Sequence, residues 1–360
     1  MQNIPVVFCI NRHYITQLAV LCRSIIISSS SHFDFYILSK DLKSVDINIL
    51  TEFVQKIDSA SRINYIDMQT SIVHDLDAFM SSSTNYNYIS SETFFRFYIP
   101  KVINLDKVIY LDADTLVLKD LSELFDINLG RLYAGVVKDP LIQRLGTTKS
   151  EPMMRSRPSM NLNEYLKKIL NTSYTNYFNA GVMILNLKQL RHDRIDEKLW
   201  DFTKRHSPLD YQDQDVLNSV FAEHVKYIHP KWNVTRDLEE FNAITPNQIS
   251  ITALQNPAII HYNGKIKPWN IEDRTYNFVL TWWDFFINTS LASESDIKNY
   301  RRILNLENLR NYKRILLIKV KKFELIHIYR QNYRYWINFF GKTIAHLQAN
   351  KIYNINTSNF

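Results

Sequence analysis

The stretch Ile109-Tyr110-Leu111-Asp112-Ala113-Asp114-Thr115 places two carboxylates, separated by one small residue, directly after an apolar run. The run at 108–111 predicts a buried strand, and residues two apart on a strand project to the same side. Asp112 and Asp114 should therefore point to one place. Burying two like charges together costs free energy unless a cation lies between them, and carboxylate oxygens suit a hard divalent ion. The alternative is an Asp-x-Asp pair that only ends the strand and caps a turn.

Short segments rich in β-branched and aromatic residues predict strands on both sides of this stretch. They cover residues 5–10, 33–38, 63–68, 107–111, 133–137, 180–185 and 225–228. Helical patterns at 15–28, 45–56, 187–204 and 213–222 alternate with them. The alternation predicts an α/β domain whose mostly parallel sheet is flanked by helices, with ligands at the carboxyl ends of strands. Asn11, Asp112 and Asp114 fall at such ends.

Three later segments bring polar groups and glycines next to predicted strands or helix starts. They are Tyr177-Phe178-Asn179-Ala180-Gly181-Val182-Met183-Ile184-Leu185-Asn186, Asp210-Tyr211-Gln212-Asp213-Gln214-Asp215-Val216-Leu217-Asn218 and His261-Tyr262-Asn263-Gly264-Lys265-Ile266-Lys267-Pro268-Trp269. Taken singly, they could be a turn, an N-cap cluster and a solvated loop. His261 follows an apolar segment and precedes Gly264 and Lys267, which favours a metal-ligand role over a structural one.

In this order around Asp112-Ala113-Asp114, the segments resemble the family-8 retaining glycosyltransferases, which include bacterial lipopolysaccharide galactosyl- and glucosyltransferases. The resemblance covers about residues 4–270 and continues more weakly through Trp282-Trp283-Asp284-Phe285-Phe286. It implies the nucleotide-sugar-binding fold called GT-A, with a mixed, mostly parallel sheet and flanking helices. Residues 1–270 would form this catalytic domain, and residues 271–360 a helical C-terminal extension.

The resemblance also implies roles for individual residues. Asp112, Asp114 and His261 match the ligands of a manganese ion, with magnesium as a possible substitute, that would bridge the diphosphate of a UDP-sugar donor. Asn11 stands where the family commonly has an acid, although its amide oxygen can still accept a hydrogen bond from a base. The substrate-binding positions are Cys9, Asn11, Tyr14, Arg96, Asp112, Ala113, Asp114, Asn179, Ala180, Gly181, Gly264 and Lys267, and the catalytic positions are Asp139, Asp213 and Gln214.

The expected reaction is transfer of galactose or glucose to a lipopolysaccharide core or related glycan acceptor. Gln214 matches the residue beneath the anomeric carbon, but a neutral amide is a poor nucleophile, so front-face attack through an oxocarbenium-like transition state is favoured. A dication and an ammonium on the departing diphosphate would stabilise the transition state. The alternatives are a protein or capsule glycosyltransferase, or a non-catalytic nucleotide-sugar-binding scaffold.

Positive charge is concentrated at the C-terminal end of the chain. Residues 301–351 contain twelve Lys or Arg and two Glu, a net of +10; since the whole chain carries +7, the remainder carries −3. Apolar residues recur every three or four positions between 313 and 340, from Leu316 to Phe340, and predict one helical stripe beside basic residues. The pattern indicates an anionic membrane surface as a partner. The alternatives are that the stripe packs on the catalytic domain or, less favoured because no binding motif accompanies the charge, that it binds nucleic acid.

The remaining sequence features concern compartment and loops. Cys9 and Cys22 indicate neither a disulfide framework nor a zinc site, which favours a reducing compartment. The first residues lack the features of a signal peptide, so we expect a cytoplasmic protein, peripheral on the inner face of the cytoplasmic membrane. The polar segment at 140–174 predicts an irregular lid or acceptor loop, or a surface insertion without a role.

Overall fold

The computed structural model describes residues 3–69, 91–148, 150–264, 267–270 and 278–311, and the backbone of five strands between 313 and 354. The chain divides into two compact units, Met1–Lys267 and Pro268–Phe360. The nine strands of the first unit are β1 Ile4–Cys9, β2 Phe33–Ser39, β3 Arg62–Asp67, β4 Lys107–Leu111, β5 Thr115–Val117, β6 Ala134–Lys138, β7 Phe178–Asn186, β8 Val225–Tyr227 and β9 Ile259–His261.

The helices of the first unit lie between these strands. They are α1 Ile15–Ile27, α2 Ser44–Ile57, α3 Ile99–Val102, α4 Ser122–Phe125, α5 Pro140–Gly146, α6 Leu162–Lys168, α7 Leu187–His192, α8 Ile195–His206, α9 Gln212–Phe221, α10 Arg236–Ile244 and α11 Gln248–Gln255. Short 3-10 helices cover Arg12–Tyr14, Ser91–Tyr98 and Pro230–Trp232.

The central sheet has seven strands in the order β3-β2-β1-β4-β7-β6-β8. Its pairs β1–β2, β2–β3, β1–β4 and β6–β8 are parallel, whereas β7 runs antiparallel to both β4 and β6. All seven predicted strands are present, and the mixed, mostly parallel sheet with flanking helices confirms the predicted fold class. Strands β1, β4, β6 and β7 are buried along almost their whole length because both faces of the sheet are covered there. The edge strands β3 and β8 are mostly half-buried or exposed.

Two strand pairings determine where the polar residues meet. Leu111 at the end of β4 pairs with Val182 of β7, and the next backbone amide, that of Asp112, donates to the Gly181 carbonyl at 2.8 Å. The small sheet of β5 and β9 pairs Thr115 with His261. The Tyr262 amide then donates to the Asp114 carbonyl at 2.9 Å. Segments far apart in sequence thus converge on Asp112-Ala113-Asp114.

Two predicted elements of the first unit differ in the structure. The helix predicted over 187–204 is two helices, α7 and α8, because Arg194 has a left-handed backbone with φ 52°. The segment at 140–174, predicted to be irregular, contains α5 and α6. Its residues Leu162, Tyr165 and Leu166 are fully buried at helical spacing, so this part of the segment belongs to the core.

The second unit begins with helices and ends with strands. Its elements are α12 Val279–Phe286, α13 Glu294–Asn311, β10 Lys313–Val320, β11 Phe323–Gln331, β12 Arg334–Phe339, β13 Lys342–Gln348 and β14 Lys351–Asn354. The five strands form one antiparallel sheet in sequence order.

The prediction of a helical stripe over residues 313–340 is therefore wrong, although the extension is helical over 279–286 and 294–311. β-Branched and aromatic residues dominate this region and favour strands, and successive strands are separated by two residues, as in hairpins. Tyr333 and Phe340 of the predicted stripe lie outside the described residues. In the described part of the chain, no helix has the length and apolar character needed to span a bilayer.

Candidate active site

Asp112, Asp114 and His261 form a cluster of three possible metal ligands, with one ligand atom of each lying within 4.8 Å of the others. His261 Nε2 lies 3.3 Å from Asp114 Oδ1 and 3.8 Å from Asp112 Oδ2. Asp112 follows β4, Asp114 precedes β5, and His261 is the last residue of β9. The two strand pairings described above thus create the cluster.

Gly181 leaves the space that the cluster occupies. A Cβ atom added at this position would lie 2.2 Å from His261 Cε1 and 2.9 Å from Asp112 Oδ2, far closer than atoms pack. The absence of a side chain on β7 is therefore what allows the imidazole ring and the carboxylate to approach each other.

A hydrogen-bond relay fixes the orientation of the His261 ring. The Gly181 amide donates to Asn179 Oδ1 at 3.0 Å, so that atom is an acceptor, and Asn233 Nδ2 donates to it at 2.9 Å. Asn233 must then present its Oδ1 to His261 Nδ1, 3.0 Å away. This network assigns the ring proton to Nδ1 and directs the lone pair of Nε2 toward the two carboxylates.

The geometry fits a divalent cation. A lone pair on Nε2 facing two carboxylates is repulsive unless a positive charge lies among them, and two carboxylate oxygens with one imidazole nitrogen are a common donor set for first-row divalent ions. Asp112, Asp114 and His261 are the residues that could hold the ion. Asn233 and Asn179 would support the ligands from behind.

Arg96 links the cluster to a second carboxylate. Its guanidinium lies 2.9 Å from Asp112 Oδ1 and 3.1 Å from Asp213 Oδ2, and it packs 4.7 Å from the centre of the Tyr110 ring. The Tyr110 hydroxyl donates to Asp112 Oδ1 at 2.6 Å. Burial raises the pKa of Asp213 to about 6, against the opposing attraction of Arg96. The structure therefore holds Asp112 in a fixed orientation and places the positive charge of Arg96 between Asp112 and Asp213.

Lys267 brings an ammonium group to the other side of the cluster. Its Nζ donates to Asp114 Oδ2 and, at 2.7 Å, to the Tyr262 carbonyl. Burial opposes the charged form of Asp114, but the neighbouring Lys267 holds the pKa of that carboxyl well below its usual range. Asp114 is therefore ionised and able to bind a cation at any physiological pH.

Two carboxamides and one carboxylate, joined by hydrogen bonds, lie beside the cluster: those of Gln214, Asn179 and Asp139. Gln214 Oε1 accepts from the Ala180 amide at 3.0 Å, and Gln214 Nε2 donates to Asp139 Oδ2 at 3.1 Å. Asn179 Nδ2 donates to the same Asp139 oxygen at 3.1 Å, while Asp139 Oδ1 caps α5 by accepting from the Ile142 amide. Both ends of the Gln214 amide are thus held in place.

A cleft of about 320 Å³ opens between the end of β1 and the cluster. It is lined by Cys9, Ile10, Asn11, Tyr14, Glu92, Thr93, Arg96, Asp112, Ala113 and Asp114. Seven of the substrate-binding residues predicted from the sequence lie in this lining, and burial raises the pKa of the Cys9 thiol, which keeps it neutral. Gly264 has φ 80° in the segment that leads to Lys267, a conformation that favours glycine.

Several residues of the site carried no assignment in the sequence. Asn233 had no sequence signal, since Trp232-Asn233-Val234 matches no motif. Tyr110 had one, because it lies two residues before Asp112 and so projects to the same side of the strand. Glu92 and Thr93 also line the cleft. The carboxylate of Asp215, which accepts hydrogen bonds from Tyr165 and Tyr177 at 2.7 and 2.6 Å, lies behind Gln214.

Comparison with known sequences identifies relatives of the first unit. A family model described as "Glycosyl transferase family 8" matches residues 5–273. General stress protein A of Bacillus subtilis is 28% identical over 194 residues, which cover 51% of this chain and 61% of that protein. Lipopolysaccharide 1,2-glucosyltransferase of Escherichia coli is 26% identical over 267 residues, which cover 72% of this chain and 71% of that protein.

Comparison with solved structures supports the same fold. The apo structure of the bifunctional glycosyltransferase WbbM matches with a TM-score of 0.68 and 26% identity, over 83% of this chain and 51% of that one. The galactosyltransferase LgtC, solved with donor and acceptor sugar analogues, matches with a TM-score of 0.65 and 23% identity, over 82% of this chain and all of that one. The chain therefore spans about half the length of WbbM and the whole of LgtC.

Proposed function

Since the chain belongs to glycosyl transferase family 8, we propose that it is a retaining hexosyltransferase that moves galactose or glucose from a UDP-sugar to a lipopolysaccharide core or related glycan. The observation that carries the proposal is the convergence of Asp112, Asp114 and His261 at the end of the cleft. The name of the E. coli relative, a lipopolysaccharide glucosyltransferase, supports the acceptor class.

The metal that we propose is manganese, held by Asp112, Asp114 and His261, with magnesium as a substitute. The oxygen and nitrogen donor set supports this choice, because carboxylates suit Mn²⁺ and Mg²⁺ and imidazole suits first-row ions. When bound, such an ion binds the donor diphosphate and offsets the negative charge that develops on the leaving nucleotide.

The positive groups of the chain would assist the same step. Lys267 and Arg96 both lie within hydrogen-bond distance of the candidate ligands, and both are buried enough to act in a low dielectric. An ammonium placed on the departing diphosphate stabilises the transition state more than the ground state, because the charge grows as the glycosyl bond breaks. Cys9, Asn11 and Tyr14, at the other end of the cleft, would bind the nucleoside.

The residues on the sugar side favour front-face attack. Gln214 is a neutral amide whose oxygen already accepts from the Ala180 amide, and Asp213 is in an ion pair with Arg96. The amide is a poor nucleophile and the charge of the carboxylate is offset by Arg96, so neither group favours a covalent bond to the anomeric carbon. Asp139, Asn179 and Gln214 would instead hold the hexose while the acceptor hydroxyl attacks from the side of the leaving diphosphate.

The location that we propose is the cytoplasmic surface of a membrane, with the protein bound peripherally. The net charge of +10 over residues 301–351 supports it. The helical face that the sequence indicated does not, because that region forms strands.

Donor hydrolysis without an acceptor tests the proposed function most directly. A panel of nucleotide sugars should show slow hydrolysis of UDP-galactose or UDP-glucose by the full chain, dependent on Mn²⁺ and lost on chelation. Hydrolysis that is unaffected by chelation would exclude the metal role. If no donor is cleaved, the non-catalytic nucleotide-sugar-binding scaffold replaces the enzyme as the favoured function. Cleavage followed by transfer to protein or capsule acceptors would change only the proposed acceptor class.

A further inference from the structure

A second cleft, separate from the candidate active site, lies at the β8 edge of the central sheet. Its volume is about 420 Å³, within the range of small-molecule sites. Its lining comes from the segment before β7 and from the segment around β8: Asn171, Thr172, Ser173, Asn176, Ala222, Glu223, Val225 and Tyr227.

The chemistry of the lining favours a neutral polyol. Two carboxamides and two hydroxyls each offer both hydrogen-bond donors and acceptors, and Glu223 adds an acceptor. The described residues of the lining include no Lys or Arg, which disfavours a phosphate or another anion, and the ammonium of Lys138 lies against the Tyr227 ring rather than in the lining. Apart from the Tyr227 ring, the described lining has apolar side chains only at Ala222 and Val225, which is too little for a purely hydrophobic ligand.

Tyr227 adds an aromatic surface that is fixed in place. Tyr227 is 37% exposed, and its hydroxyl donates to the Asn176 carbonyl. Lys138 Nζ lies 5.0 Å from the centre of the Tyr227 ring. A saccharide presents a patch of C–H groups that packs on such a ring, while its hydroxyls reach the polar groups around it. Ring and hydroxyl positions are thus set before any ligand arrives, which lowers the entropy cost of binding.

The walls of the cleft are held by backbone hydrogen bonds. Tyr227 pairs with Val136 in the sheet, and the Asn176 amide donates to the Ser173 carbonyl at 3.0 Å. In the segment that leads into β8, the His224 amide donates to the Phe221 carbonyl at 2.8 Å. The cleft therefore exists as a formed cavity rather than as a gap between loose loops.

Residues of the cleft are close in sequence to the active-site residues that would hold the hexose. Lys138, which contacts the Tyr227 ring, immediately precedes Asp139, and Asn176 lies three residues before Asn179. We propose that this cleft is a saccharide-binding subsite that holds a sugar unit of the glycan acceptor away from the reacting hydroxyl. The assignment to the acceptor rests on the proposed function, whereas saccharide binding by the cleft does not.

The test is binding of the full chain and its variants to an array of glucose- and galactose-containing oligosaccharides of increasing length. We expect the wild type to bind a set of these, and Tyr227→Ala to weaken that binding about tenfold or more, which corresponds to ~1.4 kcal/mol. Lys226→Ala is the matched control, because Lys226 lies next to Tyr227 on β8 but does not line the cleft. Asp112→Asn should also bind like the wild type.

Hydrolysis of the UDP-sugar without acceptor should be unchanged in Tyr227→Ala, since this residue lies outside the donor cleft. If Tyr227→Ala fails to fold, Asn176→Ala replaces it, because the side chain of Asn176 is exposed and only its carbonyl has a hydrogen bond to Tyr227. The inference is overturned if no oligosaccharide binds, or if binding is unaffected by both variants. Oligosaccharide binding that depends on Tyr227 in a chain that cleaves no donor would instead overturn the proposed function alone.

Discussion

Gly181 is the residue whose missing side chain makes room for the candidate metal ligands Asp112 and His261. We expect Gly181→Ala to fold but to lose Mn²⁺ affinity and activity by about 10- to 100-fold or more, because the new methyl group would displace His261 or Asp112. Metal titration of donor hydrolysis measures the effect. Gly135→Ala is the control: there the added atom meets the side chains of Ile184, at 3.0 Å, and Leu129, at 3.4 Å, and no group of the candidate site. Equal metal affinity in both variants would show that the three side chains do not bind the ion together.

Asn233 has no direct contact with the proposed ion, yet it determines which nitrogen of His261 faces the carboxylates. We expect Asn233→Ala to raise the Mn²⁺ concentration for half-maximal activity by about 10- to 100-fold while leaving the rate at saturating metal much less affected. Asn186→Ala, at the far end of β7, is the matched control. A variant that loses rate at every metal concentration, with unchanged affinity, would indicate a different role for Asn233.

Gln214 and the acidic ligands should respond differently to substitution if attack is from the front face. We expect Asp112→Asn and Asp114→Asn to abolish transfer, because both remove a charged ligand, whereas Gln214→Ala should slow transfer without abolishing it. Single-turnover transfer rates, with UDP binding as the check on folding, separate the cases. Complete loss in all three variants with intact UDP binding would count against front-face attack.

At the scale of elements, the start of α9 depends on a buried carboxylate. Asp215 is fully buried and accepts from the Tyr165 and Tyr177 hydroxyls and from the Tyr211 amide. Gln212, three residues before, has a left-handed backbone with φ 54°. A residue with a side chain disfavours this conformation, so surrounding contacts must hold the turn that presents Asp213 and Gln214. Asp215 thus positions the two residues before it without contact with the substrate.

This carboxylate should make the stability of the protein depend on pH. Burial raises the pKa of Asp215 to about 6, although the three hydrogen-bond donors oppose this rise. The carboxyl group therefore stays protonated in the folded state between about pH 4 and pH 6, whereas in the unfolded state it loses its proton from about pH 4 upward. The free energy of unfolding should therefore fall as pH rises from 4 to 6, by up to about 3 kcal/mol from this group, and level off above. Asp213, whose pKa is similarly raised, contributes in the same direction.

Asp215→Asn removes the titrating group and should therefore remove this part of the slope. Urea unfolding at pH 4 and at pH 7 should show a smaller loss of stability between the two pH values in the variant than in the wild type. Asp201→Asn, on the exposed surface of α8, is the control. An unchanged slope in Asp215→Asn would mean that Asp215 is already ionised at pH 4 in the folded state.

The elements that the sequence predicts well are those with one consistent pattern. The seven strands of the central sheet are short β-rich runs between helical or turn segments, and the structure places each within a residue or two of its predicted bounds. The site was predictable in part: Asp112 and Asp114 follow from strand periodicity, but their meeting with His261 depends on the β5–β9 pairing, which no local pattern encodes. The local sequence around His261 favoured a metal ligand, but only the family resemblance assigned it to the same ion as the two aspartates.

The C-terminal strands show why periodicity alone can mislead. Where nearly every second or third residue is apolar, spacings of three and four also occur within strands, so Leu316, Val320 and Phe323 fit a helix as well as a strand. The better indicators were residue type and turn chemistry. Ile, Tyr, Trp and Phe favour strands, and Asn and Gly, which favour turns, recur through this part of the sequence at Asn332, Gly341 and Asn350.

At the scale of the whole molecule, the uneven distribution of charge remains although the helical stripe is absent. The segment 301–351 carries +10 and the rest of the chain −3. Each Lys or Arg near an anionic leaflet contributes on the order of 1 kcal/mol, so a third of the twelve basic residues would supply about 4 kcal/mol. That attraction does not require a helix. It requires only that the positive charges face the surface, and it is screened by salt, since the Debye length falls from about 10 Å at 0.1 M to about 3 Å at 1 M.

We therefore expect the full chain to sediment with vesicles that contain phosphatidylglycerol at low salt, to be released at 1 M salt, and not to sediment with neutral phosphatidylcholine vesicles. Replacing four basic residues of the segment by Gln, at Arg301, Arg302, Lys313 and Arg314, should weaken the binding by roughly two to three orders of magnitude if each contributes about 1 kcal/mol. Replacing four lysines of the first unit, Lys56, Lys101, Lys167 and Lys168, should have little effect, because that unit has no excess of positive charge. If both variants sediment like the wild type, or if the wild type stays in solution at low salt, the charged segment does not bind the membrane and a glycolipid acceptor must be recruited by the catalytic unit itself.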